Sequence, residues 1–294
     1  MMEMRIAVHG RLRSGSKDDR LIHILRQVAA AFPTVAICSG LNQALREAGE
    51  QFNLPVINQH QLRTGNYTML VSIGGDGTIL EAARMVGNSG IPILGINNGR
   101  LGFLSSTPHE DTAAALNRLT QGDFIIEQRS LVQVSTSVNL FGKDNFSLNE
   151  ITVHKSAKSS MIVVHAYLDG AFLNTYWADG LIISTPTGST GYSLSAGGPI
   201  LTPNSQSLII TPIAPHNLNV RPLVIPDNQH ITLSVEGTAQ DHLISLDSIS
   251  CPLKPALTLD ISKADFSVGL VRFHPEDYFN TLRNKLMWGI DRRN

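Results

Sequence analysis

The stretch SIGGDGTIL, Ser72–Leu80, sets three glycines and an aspartate between apolar residues. Its reading decides the fold. Asp-Gly between two apolar runs is a hairpin signal, but the residues after Gly77 argue against a hairpin. Ile79, Ala82, Ala83 and Val86 recur at helical rather than alternating spacing. Before it, MLVSI (Met69–Ile73) has the composition of a strand buried on both faces. The spacing therefore predicts strand, Gly-Gly-Asp-Gly, helix. Glycines at such a junction let a ligand approach the backbone, and amides left unpaired at the helix start favour a phosphate. Anion binding gives no reason for an aspartate there. Two readings stay open: Asp76 meets an attacking hydroxyl or a metal ion bridging phosphate oxygens, or it caps backbone amides in an Asx-type turn.

Outward from this stretch, strand-like and helix-like patterns alternate, the mark of βαβ units around a parallel sheet. Strands are expected at Arg5–His9, Thr34–Cys38 and Ile91–Ile96, and helices at Asp18–Ala31, Gly40–Phe52 and Asp111–Leu119. From about Phe124 the texture changes. Leu131–Phe141, Ile162–Gly170, His230–Gly237 and Ala256–Ser262 alternate or are β-branched, and the six prolines from Pro199 to Pro226 suit short strands with irregular joins. Glu276–Met287 reads as a final helix with Phe279, Leu282 and Leu286 on one side.

The bulk numbers narrow the function classes. At 294 residues two domains are the default expectation. A formal charge of −1 lacks the basic footprint of a general nucleic-acid binder. Apolar runs fall far short of the ~20 residues a membrane span needs. Cys38 and Cys251 are too few for a structural zinc site or a disulfide scaffold. A cytoplasmic protein is the simplest expectation. The histidines show no metal-ligand spacing, so His154, His165 and His216 are expected to be hydrogen-bonded structural residues.

A second polar cluster lies in ADGLIISTPTGSTGYSLSAGGPI, Ala178–Ile200. Small hydroxyls interleaved with Gly188 and Gly191 suit close wrapping of a polar ligand. GGDGT at Gly74–Thr78 together with this stretch resembles the NAD kinase family, which phosphorylates the adenosine 2′-hydroxyl of NAD to give NADP. LGINNGRLGFLS (Leu94–Ser105), LNEITV (Leu148–Val153) and APHNLNVRPLVIP (Ala214–Pro226) extend the resemblance, in order, from Val71 to Asp247. GGDGT alone is shared with diacylglycerol, sphingosine and phosphofructokinase-type kinases.

The resemblance implies an α/β domain with a Rossmann-like parallel sheet, residues 1–125 with 275–294, and a mostly-β, sandwich-like NAD-binding domain, residues 126–274. The C-terminal helix would return to the first domain. Asp76 is implied as the catalytic residue, with Gly74, Gly75, Gly77 and Thr78 around the nucleotides. Asn149 and Glu150 would contact the dinucleotide, and Asp179 would help hold its nicotinamide half. Thr190, Gly191, Tyr192, Ser193, Leu194 and Ser195 would line the adenosine side, with Thr187 and Ser189 beside them. The implied substrates are NAD and ATP, or another triphosphate or polyphosphate donor. Mg²⁺, or another divalent cation, would be held through the donor phosphates, and the assembly would be a homodimer or homotetramer. Glu81 stands where many members carry a basic residue and Trp177 where some carry Arg. Ser248 stands where a Gly often follows the aspartate at 247. The rivals are a lipid kinase of the diacylglycerol or sphingosine type and a non-catalytic dinucleotide sensor.

Overall fold

Strand and helix alternate as the periodicity predicts: β1 (Arg5–Gly10), α1 (Asp19–Ala31), β2 (Thr34–Cys38), α2 (Ser39–Glu47), β3 (Val56–Ile57), α3 (Gln59–Thr64), β4 (Met69–Ile73), α4 (Asp76–Val86), β5 (Ile93–Asn97), β6 (Thr107–Pro108) and α5 (Thr112–Gln121). Strands then dominate: β7 (Ile125–Ser135), β8 (Phe146–Ser147), β9 (Glu150–Lys155), β10 (Ile162–Leu168), β11 (Ala171–Ala178) and β12 (Gly180–Ser184). After the short α6 (Tyr192–Ser195) come β13 (Ser207–Ile213), β14 (Leu223–Pro226), β15 (Ile231–Glu236), β16 (His242–Leu246), β17 (Ile249–Pro252), β18 (Thr258–Arg272) and α7 (Asp277–Leu286). This computed structural model describes residues 4–12, 18–99, 102–105, 107–156, 161–236, 242–253, 257–274 and 277–287. Gly237, Ala256, Glu276 and Trp288, and part of the 94–105 stretch, lie outside the described residues.

The chain divides into two compact units, Met1–Gln128 with Val268–Asn294, and Arg129–Ser267. In the first, β5-β4-β1-β2-β3 are parallel neighbours, and the end of β18 joins β5 through Leu270 and Ile93. Alternate strand residues (Ile6, Val8, Val71, Ile73, Leu94, Ile96) join Leu21, Leu25 and Val28 of α1, Leu41 and Leu45 of α2, and Leu116 of α5 in one core. Residues of the opposite parity, Ala7, Leu70 and Ile93, are equally buried. On that face Gly95 leaves room for Ile79 of α4, whose Cδ1 would lie 2.7 Å from a Cβ. A sheet covered on both faces explains why β4 and β5 are buried at every position.

The second unit is a sandwich. One antiparallel sheet runs β14-β13-β12-β9-β16-β17, and β11, β10, β15 and the first part of β18 form the other. Ile151, Val153, Leu181, Ile183, Leu208, Ile210 and Ile244 from the first sheet share a core with Ile162, Val164, Leu233, Leu259 and Ile261 from the second. These are alternate residues of each strand, as a half-buried sheet demands.

Some boundaries differ from the sequence reading, for local reasons. The helix expected over Gly40–Phe52 ends at Glu47, because Gly49 turns left-handed (φ +80°) and amides 49 and 50 fold back onto the carbonyls of Arg46 and Leu45. The strand expected over Leu131–Phe141 begins at Ile125 and stops at Ser135. Leu140 and Phe141 still pack on the core, but from a loop turned by Gly142 (φ +66°). On α7, Leu282 is buried, whereas Phe279 and Leu286 are exposed rather than sharing its inward face.

Asp18 caps α1 through its Oδ1, which accepts from the Leu21 amide at 3.1 Å, while its Oδ2 accepts from Asn98 Nδ2 at 2.8 Å. Asp18→Ala loses both, and urea unfolding is expected to show a stability loss of about 1 kcal/mol.

Candidate active site

The strand order of the first unit places the site before any side chain is considered. From β1 the chain winds outward through β2 and β3 on one side, and then through β4 and β5 on the other. Ligands of open α/β sheets bind beyond the carboxyl ends of the strands where this winding reverses. Those ends are Gly10 and Ile73, which are register partners. Immediately after Ile73 comes the Gly-Gly-Asp-Gly stretch, and it joins strand to helix, not strand to strand. A Cβ on Gly74 would lie 2.2 Å from Thr78 Oγ1, so that glycine is fixed by packing.

Asp76 is the first residue of α4 and is half-buried. Its carboxylate is held by three successive backbone amides from a distant loop. Phe103 N donates to Oδ2 at 2.8 Å, and Leu104 N and Ser105 N donate to Oδ1 at 3.0 and 3.1 Å. The loop is tied in turn by Ser105 Oγ, which donates to the Gly74 carbonyl at 3.0 Å. Gly102 is obligatory, since a Cβ there would sit 1.8 Å from Asp76 Oδ1. Asp76 does cap amides, but not those of its own turn. A carboxylate offers about four acceptor positions. Among the described residues two are used on Oδ1 and one on Oδ2, which leaves one on Oδ2.

Gly75 and Gly77 tell a different story from Gly74 and Gly102. Both are exposed, and a Cβ on either would meet nothing within 4 Å. Protein packing gives no reason for glycine at these two positions, whereas a ligand lying close against the helix start does. Gly75, the residue before α4, offers no side-chain cap, and the helix start carries the positive end of the dipole. One turn on, Glu81 Oε2 lies 3.3 Å from His9 Nε2 and its Oε1 3.0 Å from Arg11 Nη1. The His9 contact, and secondarily the Arg11 charge, hold Glu81 below the usual carboxylate range despite partial burial. The acid at position 81 is thus matched by basic partners at the end of β1.

In the second unit the polar stretch turns largely inward. Thr185 Oγ1 donates to the Leu148 carbonyl at 2.6 Å and accepts from Gly188 N at 3.1 Å. Ser189 Oγ donates to the Pro186 carbonyl and accepts from Leu201 N. Ser193 Oγ pairs with Thr211 Oγ1 at 2.8 Å, and Thr187 Oγ1 accepts from the buried Arg129 at 3.4 Å. Thr187, Ser189 and Ser193 are therefore buried and spend their hydroxyls on shaping the loop. Tyr192 and Ser195 are exposed, with Thr190, Gly191 and Leu194 half-buried between them. This loop lies on Asn149 and Glu150. A Cβ on Gly188 would be 2.2 Å from the Asn149 carbonyl oxygen, and one on Gly191 3.3 Å from both Asn149 Nδ2 and Glu150 Oε2.

Among the described residues, Asn149 Oδ1 and Glu150 Oε2 are buried acceptor atoms without a hydrogen-bond partner. Burial first, and the nearby Asp247 charge second, push Glu150 up from 4.5 to about 8, with the Tyr192 amide partly offsetting them. Asp247 accepts from Leu148 N and Asn149 N at 2.9 Å and from Glu150 N at 3.1 Å. It also carries the left-handed φ (+49°) of the β16–β17 turn, and Ser248 does not, so the turn asks for no glycine at 248. Asp179 stands apart from this cluster's bonds and pairs with Lys155 at 2.8 Å. Trp177 is exposed, and its carbonyl accepts from the His216 amide. His154 pairs with Ser245, and His165 with Thr175 and Glu236, as structural histidines do.

Family models describe the same two halves: an ATP-NAD kinase N-terminal domain over residues 38–124 and an ATP-NAD kinase C-terminal domain over residues 148–273. An NAD kinase of Flavobacterium psychrophilum is 45% identical over 99% of this chain and 100% of its own length. The chain belongs to the NAD kinase family. An NAD kinase of Cytophaga hutchinsonii is 50% identical over 78% of this chain and 79% of its own. Among solved structures, yeast NADH kinase complexed with NADH superposes with a TM-score of 0.86 over 98% of this chain and 88% of that one; at 22% identity it shows the fold. An NAD kinase from Archaeoglobus fulgidus in complex with ATP superposes at 0.72, with 29% identity over 97% and 99%. As an NAD kinase the chain is a phosphotransferase, and neither the lipid kinase nor the non-catalytic sensor reading survives.

Residues 94–105 carry part of the family resemblance, but their side chains do not disclose that backbone amides of this stretch hold Asp76. Every residue carries an amide, so side-chain types could not announce this role. Gly102 was the one visible signal. Nothing in the sequence around Asp247 marks it as the acceptor of the 148, 149 and 150 amides.

Three measurements probe this geometry. Gly102→Ala forces the 102–105 loop off Asp76 and is expected to cut turnover about 10²-fold. Gly77→Ala, by contrast, gains roughly 0.5 kcal/mol of helix stability, yet is expected to raise the KM for the phosphate donor. Because Glu150 is protonated more readily folded than unfolded, its contribution to stability is full below pH 4.5 and is lost as pH rises toward 8. Glu150→Gln is expected to flatten that part of the stability profile in urea titrations.

Proposed function

We propose that the chain transfers the terminal phosphoryl group of ATP, or of another triphosphate or polyphosphate, to the adenosine 2′-hydroxyl of NAD, with Asp76 as the catalytic residue. The observation that carries this reading is the Asp76 carboxylate at the start of α4, locked by three amides that, among the described residues, leave one Oδ2 acceptor position open. The ribose hydroxyl donates its hydrogen to that position, which aligns its oxygen with the phosphorus. Phosphoryl transfer passes through a loose transition state that asks for little early deprotonation. Asp76 Oδ2 therefore takes the proton late, as the new P–O bond forms and the bond to the leaving phosphate breaks. The amides of Gly75, Asp76 and Gly77 receive the donor phosphates, and Gly74 and Thr78 hold that turn.

Asn149 and Glu150 are proposed to receive the dinucleotide through their unpartnered oxygens; protonated, Glu150 also donates. Thr190, Gly191, Tyr192, Leu194 and Ser195 line its adenosine side, supported from beneath by Thr187, Ser189 and Ser193. Asp179 is assigned to the nicotinamide half. Among the described residues no group of three His, Cys, Asp or Glu could cage a metal ion. Mg²⁺, which is commonly held by phosphates and one or two carboxylates, would be held through the donor phosphates and would neutralise charge on the transferring group. Neighbours solved with ATP and with NADH support the choice of substrates. A cytoplasmic homodimer or homotetramer completes the proposal; among the described residues no helix is long and apolar enough to cross a membrane.

Incubation with NAD, ATP and Mg²⁺, followed by an NADP-specific assay, tests the reading. Asp76→Asn turns an amide NH₂ toward a loop N–H or removes the open acceptor, and should lower turnover at least ~10²-fold with NAD binding retained by calorimetry. Wild-type turnover in that variant would overturn the role of Asp76.

A further inference from the structure

Behind the loop that holds Asp76 stands a buried charge that phosphoryl transfer, as described above, leaves unexplained. Arg272 closes β18 and is 6% exposed. Its Nε lies 3.1 Å from Glu127 Oε2 on β7, and its Nη1 donates to the Leu104 carbonyl oxygen at 3.0 Å. That carbonyl belongs to the same planar peptide as the Ser105 N–H, which donates to Asp76 Oδ1 at 3.1 Å. One peptide group thus has a guanidinium at its oxygen and a carboxylate at its hydrogen. Bonds at the two ends of an amide polarise it in the same sense and strengthen one another, and both are charge-assisted.

The chain is shaped to allow this. Gly269 lets β18 approach β7, since a Cβ there would meet Ile126 Cγ2 at 2.6 Å. That close approach brings Glu127 within reach of Arg272. A buried ion pair is weak evidence of a stability device, because desolvation offsets most of its attraction. Fixing a direction is a better use for it, and the planar guanidinium, with donors on Nε and Nη1, fixes two at once.

We propose that Arg272 is a positioning residue for phosphoryl transfer: backed by Glu127, it sets the Leu104–Ser105 peptide and, through it, the orientation of the Asp76 carboxylate. This inference rests on Asp76 being catalytic. It concerns an interaction that matters to the transition state and not to dinucleotide binding, so it makes a kinetic demand that a merely structural arginine does not.

The test is steady-state kinetics of the full chain with NAD varied at saturating ATP, each rate normalised to folded protein by urea titration. Arg272→Met is expected to lower kcat about 10²-fold with the KM for NAD unchanged within about twofold. Arg272→Lys, whose single ammonium cannot serve Glu127 and the Leu104 carbonyl along both directions, should lose roughly 10-fold. If the Met variant fails to fold, the Lys variant decides. In an Asp76→Asn background Arg272→Lys should cost nothing further, since it acts through that carboxylate. Wild-type kcat per folded molecule in the deciding variant, or an undiminished second loss in the Asn background, overturns the inference alone. A wild-type chain that forms no NADP overturns the proposed reaction as well.

Discussion

The grip of three successive amides on the Asp76 carboxylate is the constraint around which the first unit is arranged. A carboxylate at a helix start already gains from the dipole, and hydrogen bonds to a charged group are each worth ~1.5–3 kcal/mol. The donors come from a loop 27 to 29 residues further along the chain, so no local turn could supply them. The loop reaches Asp76 because β5 lies beside β4 in register, with Leu94 opposite Val71. Gly95 admits the loop and Ile79, Gly102 admits the carboxylate, and Ser105 closes onto Gly74. Each of these small residues is set by the same approach of loop to helix.

The second unit uses the same device for another purpose. Asp247 gathers the amides of 148, 149 and 150 as Asp76 gathers those of 103, 104 and 105. In the first case the proposed reaction gives the chemistry to the carboxylate, and the amides are its mount. In the second the carboxylate is the mount, and the side chains of Asn149 and Glu150 are presented. The cost of the second arrangement appears at Glu150, whose ionisation is opposed by burial and by Asp247 itself.

Which of these features could be read in the sequence follows from their physical origin. The α/β and mostly-β halves were legible because burial imposes periods of 3.6 and 2 on side-chain type, as at Ile79, Ala82 and Ala83 or along Ile162–Leu168, whereas the sandwich came only with the family resemblance. Asp76 was legible as an anomaly, an acid where an anion site was expected. The hydroxyl-rich loop was visible but its direction was not. Ser189 and Ser193 look identical to Ser195 in composition, and only tertiary packing turns the first two inward. Backbone donors are invisible to any reading of side chains. Arg272 carried a faint signal, a lone cation within the apolar run SVGLVRF, yet its target lies 168 positions away.

The first unit is discontinuous: residues 268–272 supply both the strand beside β5 and the guanidinium behind Leu104, after the whole sandwich has been encoded. A ribosome therefore releases the α/β half with its sheet short of one edge and the Asp76 mount unbraced. Vectorial folding can complete the sandwich first, but not the half that carries the carboxylate. Chains ending inside the sandwich would accordingly carry the 102–105 loop without the Arg272 bond to the Leu104 carbonyl.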